Sequence, residues 1–355
     1  MSKERLFRAL NLKTQFCSLQ SKISTLWAHK TQSLLAIGLL MVLLLYACSK
    51  TPTYHQKFTS SPKSTLANLR IVKHQLDEAK LPISPKRIIV LDGALTEAVL
   101  ALGITPVGAP IKFINYTLSA RQQAGIEDIG TRTPNLEKIL ALKPDLILGI
   151  SNYQEIYGLL SHIAPTVLIN YSYSKWKEMF WSVAQILGQT TVAKEWMFQY
   201  YNRISEFKAA MGKRLALTHV SVFRIAGYTV FIKGSFFGSI FNDIGLKSPL
   251  SPNLDVLRNR HHIFTNGYVY ALSPELLNEV DGDALFLISD ASFGLASAQK
   301  AREKLQVQPL WSKLKAVQQG KVYVVGNYWI CCGPLAANQV LDDLFKSLLE
   351  TSNLK

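Results

Sequence analysis

Cysteine is scarce in this chain, and so is negative charge. Of the four cysteines, Cys17 falls in an amino-terminal leader and Cys48 at its end, which leaves only the adjacent pair Cys331-Cys332. Two cysteines make no disulfide framework, and without nearby ligands they make no zinc site. The pair reads as two small buried residues or, in an oxidising compartment, as a strained vicinal disulfide. Catalytic signatures are missing too: there is no GxSxG, HExxH, GxxxxGK[ST] or GxGxxG. Seven histidines are scattered except for His261-His262. Neighbours on a strand point to opposite faces, so the pair reads as surface or cleft residues rather than metal ligands. The longest apolar run, residues 34–45 (LLAIGLLMVLLL), falls short of the roughly 20 residues a membrane span needs.

What is present begins with charge. Lys and Arg outnumber Asp and Glu by 39 to 24, a formal charge of +15 on 355 residues. Residues 1–33 carry Lys3, Arg5, Arg8, Lys13, Lys22 and Lys30 against the single acid Glu4, and the apolar run and Tyr46-Ala47-Cys48 follow. A basic segment, an apolar segment and a small residue before the cut describe a secretory signal. Cys48 after Leu-Tyr-Ala resembles a bacterial lipoprotein processing site, with Tyr46 the poor fit. An uncleaved anchor and plain secretion are the alternatives. Cleavage before Cys48 removes six basic residues and one acid and lowers the charge from +15 to +10. A basic mature chain favours anionic ligands or an anionic surface. Its Lys and Arg are scattered rather than striped and the chain carries an export signal, both of which argue against nucleic acid.

Length suggests two domains, and an apolar fraction of 48% is enough for buried cores. Residues 49–65 have tether composition, and residues 66–81 form a short helix or strand. Short β-branched runs then alternate with helical segments: strands at 87–91 (RIIVL), 106–108, 145–150 (DLILGI) and 166–170 (TVLIN), helices at 95–102, 135–142, 153–163 and 175–187. This alternation predicts a parallel sheet with helices on its faces. After residue 212 comes a hairpin, 219–224 (HVSVFR) with 228–233 (YTVFIK). Helices at 237–244, 273 onward and 309–317, strands at 284–288 and 321–325, and a final helix from Pro334 complete the chain.

Between these two textures, residues 190–211 place Val192, Trp196, Met197, Tyr200, Ile204, Phe207 and Met211 at intervals of three and four. The spacing predicts an amphipathic helix of about 33 Å, capped by Thr190 and ended by Gly212. It is either a spacer joining two α/β lobes or one more crossover helix in a single sheet.

Ligands of parallel α/β sheets bind beyond the carboxyl ends of strands. Three such ends carry unusual residues: Asp92-Gly93, Arg224 and Trp329. Arg224 shares strand parity with Val220 and Val222, so its guanidinium needs an internal acid or an anionic ligand. Trp329 either lines a cleft or lids the core. The irregular stretch 248–266 adds Arg258, Arg260 and the histidine pair.

Four stretches, PKRIIVLDGALTEAVLALGITPVGAP, IGTRTPNLEKILALKPDLILGI, LSPELLNEVDGDALFLIS and GPLAANQVLDDL, resemble the binding proteins of siderophore, haem and cobalamin ABC importers. The iron(III)-dicitrate and ferric-siderophore binders are nearest, and the resemblance covers about 85–350. It implies two α/β lobes bridged by one long helix, with lobes at 85–189 and 212–355, a signal at 1–47 and a lipid-anchored tether and amino-terminal extension at 48–84. It further implies a non-enzymatic monomer without a cofactor, lipid-anchored on the outer face of the membrane, which hands a ferric chelate to an ABC permease and its ATPase. The site residues it implies are Arg224, Trp329, Arg132, Asp92, Tyr228 and Arg260, with Glu97 and Glu275 as exposed permease-docking acids on one edge of the molecule. Gly93 and Cys331-Cys332 depart from the family's usual residues. Haem or cobalamin is the alternative cargo, with Tyr228, Tyr268, His261 and His262 as axial candidates. An exported α/β enzyme is the reading from another class. Mass analysis of the mature amino terminus should find a diacylglycerol-modified Cys48; an intact leader, or a soluble chain starting elsewhere, refutes lipidation.

Overall fold

In a computed structural model of the chain, the described residues are 69–349, except 75, 115–117, 226–228, 232–233, 250–268, 272–276, 279–280, 290–294 and 331–332. They form two separate five-stranded sheets and a two-stranded ribbon. The ribbon pairs β1 (Leu69–Lys73) with β2 (Glu78–Pro82) antiparallel. Alternate residues of β2, Ala79 and Leu81, enter the first core, so the stretch after the tether forms strands and packs on the first lobe.

The first sheet holds β3 (Ile88–Val90), β4 (Gly108–Ala109), β5 (Glu127–Asp128), β6 (Leu146–Ile150) and β7 (Thr166–Ile169). All are parallel, in the order β5-β4-β3-β6-β7. Strands covered on both faces read as unbroken apolar runs, as IIV, LILGI and TVLI do. One face packs on α1 (Gly93–Ala101) and, further along the chain, α4 (Trp176–Leu187). The other packs on α2 (Leu136–Ala141) and α3 (Tyr157–Ile163). Gly108 is required on β4, because a Cβ there would lie 2.7 Å from Ile89 Cδ1 and 2.8 Å from Ile129 Cγ2. Asn135 caps α2 by accepting the Lys138 amide at 2.9 Å. Pro134 therefore precedes the cap.

α5 spans Thr190–Met211, as the spacing predicts. Gln189 occupies its cap position without a side-chain bond, and Thr190 is its first helical residue. The buried stripe is Ala193, Tyr200, Ile204, Phe207 and Met211, while Val192 faces solvent. Ala193 packs in the first lobe's core and the four residues from Tyr200 onward in the second's. The helix is thus a bridge between lobes and not a crossover within one sheet.

The second sheet comprises β8 (Val220–Arg224), β9 (Thr229–Phe231), β10 (Val269–Ala271), β11 (Ala284–Ile288) and β12 (Val322–Val325), in the order β10-β9-β8-β11-β12. The hairpin β8-β9 is antiparallel, and β8, β11 and β12 run parallel. α5, α6 (Phe236–Ile244) and α8 (Pro334–Leu348) cover one face. α7 (Leu295–Gln306), which the sequence pattern does not reveal, covers the other together with Trp311, Leu314 and Ala316. The expected helix at 309–317 is a 3-10 turn at Trp311–Lys313 and one α-turn at Lys315–Gln318.

A polar knot ties three helices together where the lobes meet. Asp243 of α6 accepts Lys177 Nζ of α4 at 2.8 Å and the Tyr200 hydroxyl of α5 at 2.8 Å. Trp176 Nε1 donates to Ser239 Oγ at 3.0 Å. Burial pulls the Lys177 ammonium down, but the hydrogen bond and charge of Asp243 outweigh it, so its pKa is raised. Such a shift gives stability that is complete below the unfolded lysine pKa, about 10.4, and is lost as pH climbs through the folded value. Asp243→Ala should cost about 3 kcal/mol, because it strands a half-buried ammonium and a buried hydroxyl. Tyr200→Phe should cost about 1 kcal/mol. Urea unfolding at neutral pH checks both, and equal small losses would show that the knot contributes little.

Candidate ligand-binding site

Each sheet grows outward from its first strand in the chain and then reverses direction. The switch lies between β3 and β6 in the first sheet and between β8 and β11 in the second. Crevices form beyond the carboxyl ends of strands at such points.

At the first switch Leu91 N donates to Leu148 O at 2.8 Å, extending the ladder one residue past β3. Asp92 then caps α1, its Oδ1 accepting the amides of Ala94 at 2.8 Å and Leu95 at 3.2 Å. Burial raises the Asp92 pKa against the opposing effect of those amides. Tyr153, just beyond β6, donates its hydroxyl to Leu91 O at 2.9 Å. Burial, and then the charge of Asp92, push its phenol up to about 12. At the second switch Arg224 ends β8 beside Ile288 of β11, half-buried, on the strand face shared by Val220 and Val222.

The two rims come together where α1 meets α8. A Cβ on Gly333, which precedes α8, would lie 2.7 Å from Glu97 Cβ and 3.1 Å from Ala94 O. The amino-terminal turns of both helices, one following β3 and the other following β12, are therefore in contact.

Residues 88–328 match the family model described as periplasmic binding protein. The chain belongs to the periplasmic binding protein family. Its work is therefore capture of a solute outside the cytoplasm, not catalysis. It is 32% identical to the probable siderophore-binding lipoprotein YfiY of Bacillus subtilis, covering 90% of this chain and 98% of that one. Identity to the Fe(3+)-citrate-binding protein YfmC of the same organism is 28%, over 84% and 90%. The fold matches Staphylococcus aureus SirA, solved in complex with staphyloferrin B, with a TM-score of 0.66 and 24% identity, over 79% of this chain and 98% of that one.

Against this frame the expected site residues divide. Asp92 and Arg224 stand at the two switch points. Arg132 is exposed in the turn after β5, on the same rim as Asp92. Tyr228, Arg260 and Glu275 lie outside the described residues, as do Cys48, Cys331, Cys332, Tyr268, His261 and His262.

Trp329 requires a correction, because it is fully buried. A 3-10 turn at Asn327–Trp329 folds the indole onto Phe286, with ring centroids 4.6 Å apart. A buried indole N–H needs an acceptor. Asp343 of α8 supplies one at 2.7 Å and takes the Tyr328 hydroxyl on the same oxygen at 2.7 Å. Burial raises the Asp343 pKa against those two donors. The residue expected as a cleft wall is thus a core residue of the second lobe.

Glu97 requires the larger correction. It is only 1% exposed, and its Oε2 accepts the Ala336 amide of α8 at 2.9 Å. A buried carboxylate cannot pair with a permease. The first-turn acids that the described helices of this lobe do expose are Glu137 of α2 and Glu178 of α4. Sequence reading places Glu97 near a helix start but has no means of seeing that α8 lies over it. Tyr153 and Asp343 are missed for a related reason. Tyr153 sits just past β6 and Asp343 inside α8, but their partners are 62 and 14 residues away.

Trp329→Ala should lower unfolding stability by about 3–5 kcal/mol, measured by chemical denaturation without ligand. Unaltered stability with affinity alone reduced would return Trp329 to the cleft.

Proposed function

We propose that this protein captures a ferric siderophore or ferric citrate and delivers it to an ABC permease. The observation that carries the reading is Arg224 at the switch point of the second sheet, on the rim of the crevice. An iron chelate of this kind presents carboxylate, catecholate or hydroxamate oxygens, and a guanidinium fork meets such oxygens with two parallel charge-assisted hydrogen bonds. Arg132 on the opposing rim adds a second positive charge, and the basic composition steers an anionic complex toward the crevice. The chelator supplies the iron ligands, so the protein has only to recognise the outside of the complex. The two Bacillus relatives, named for siderophore binding and ferric citrate binding, support the same cargo class.

Membrane attachment through a lipid on Cys48, a cleaved leader at 1–47 and a tether leading into β1 complete the reading. The lobes proper are 85–189 and 212–355, with a monomer as the working unit. A permease and its ATPase are the partners on the membrane. The relative named a lipoprotein supports this placement.

The test is a panel of ferric citrate, ferric hydroxamate, ferric catecholate, haem and cobalamin, scored by co-elution of ligand absorbance with the protein and by the rise in melting temperature. At least one ferric chelate should co-elute with unit stoichiometry. Arg224→Ala should weaken that capture by about 2–5 kcal/mol, and Arg224→Lys should recover part of it, since the planar fork is lost. Capture of haem alone, or unchanged affinity in a folded Arg224→Ala protein, would refute the reading.

A further inference from the structure

Glu97 is the one acid among the described residues that is both fully buried and bonded from one lobe to the terminal helix of the other. It stands in the second turn of α1, five residues after Asp92 at the first switch point. Its carboxylate reaches the third residue of α8, the helix entered from the loop that follows β12 and carries Tyr328 and Trp329. A carboxylate is costly to bury unless it is hydrogen-bonded. The start of a helix offers unpaired amides and the positive end of the helix dipole. Pro334 at the first position has no N–H to offer, so the acceptor must reach deeper into the turn, as Glu97 does at Ala336. Gly333 makes the approach possible: any Cβ there would lie 2.8 Å from Glu97 Oε2 and 2.7 Å from Glu97 Cβ. α8 is held from its other side as well. Arg203 of α5 donates to Asn338 Oδ1 at 3.0 Å and pairs with Asp342. The last helix is therefore pinned between the bridge and the first lobe.

We infer that Glu97 is a positioning residue that sets the width of the ligand crevice by bracing α1 against the amino terminus of α8. The segments it connects are the two that lead out of the rims: Asp92 starts α1, and the loop after β12 leads into α8. A brace at that point joins the start of the helix that follows β12 to the helix that follows β3. It holds the rims at one spacing before any ligand arrives, so that capture costs little rearrangement. The small size of Gly333 and the acceptor oxygen of Glu97 are two parts of one contact, and removing either should have the same effect.

The inference rests on the proposed cargo only for its affinity readout. Nitroxides introduced through unnatural amino acids at exposed Leu140 and Glu303 report the lobe-to-lobe distance and leave the native cysteines untouched. The wild-type protein should give one narrow distance distribution, unchanged by ferric citrate or a ferric hydroxamate. Glu97→Ala and Gly333→Ala should broaden it. Glu97→Gln, whose amide oxygen can still accept from Ala336, should stay close to wild type. If the competent spacing falls to about a tenth of the population, apparent affinity should fall about tenfold. A broad distribution in the ligand-free wild type overturns the brace, whatever the variants do. So does a folded Glu97→Ala or Gly333→Ala protein with lowered melting temperature but wild-type distances, since that is what a purely structural contact would give. If no ferric chelate binds the wild type, the cargo assignment fails, and the distances still judge the brace.

Discussion

Two separate sheets have to be held in a fixed relation by something other than strand pairing, and here an aromatic seam around α5 does it. Trp176 of α4 meets Trp196 and Tyr200 of α5 edge-on, and Phe236 of α6 packs against the same indole. Trp196 stacks on Tyr200 and also touches Phe180 of α4. Rings of this size contribute both area and geometry. Edge-on pairs add about 0.5–1.5 kcal/mol each beyond burial, and they fix orientation in a way aliphatic contacts do not. Asp243 sits at the margin of the seam and satisfies the polar groups that an aromatic junction brings inside. Burial and then the neighbouring Asp243 push the Tyr200 phenol far above its ordinary range, so it stays a neutral donor to that carboxylate. The junction joins α4 of the first lobe to α5 and α6 of the second.

The two sheets reach the same strand order by different local routes. In the first lobe the outward steps from β3 to β5 are parallel crossovers. In the second, β8 turns back on itself through a hairpin, and β10 pairs antiparallel with β9. The order is nevertheless the same, so each lobe has one switch point and contributes one rim. A hairpin brings β9 alongside β8 without a helix between them. That leaves one face of the second sheet to α5, α6 and α8, the elements through which this lobe meets the first.

Acidic residues are few in this chain, and several of them are used inside the scaffold. Asp92 caps α1, Glu97 accepts from α8, Asp243 joins three helices, and Asp343 holds Trp329 and Tyr328. Each satisfies donors that the fold brings together, and each is withdrawn from solvent in doing so. Among the described residues, Arg132 and Arg224 keep cationic groups at the strand ends while these four acids are taken up by hydrogen bonds inside the scaffold.

Periodicity by itself determined the elements. Residues 190–211 form a helix because their apolar spacing permits one continuous stripe, and ALFLI forms a strand because a β-branched and apolar run of five is buried on both faces. The leader composition and the motifs around NLEKILALKPDLIL pointed to the family from residue types alone. Helix α7 escaped because the described side chains of LASAQKAREKLQ bury little beyond Ala298 and Leu305, too sparse a stripe to read. Only the tertiary structure decided the fates of Glu97 and Trp329. One acid near a helix start looks much like another until the helix that covers it is in place, and an aromatic after a strand end can turn inward or outward. The turn Asn327–Trp329 and the acceptor on Asp343 settle that direction. Local sequence specifies local conformation, but burial is a property of what packs from elsewhere, and for Glu97 that partner lies 239 residues away.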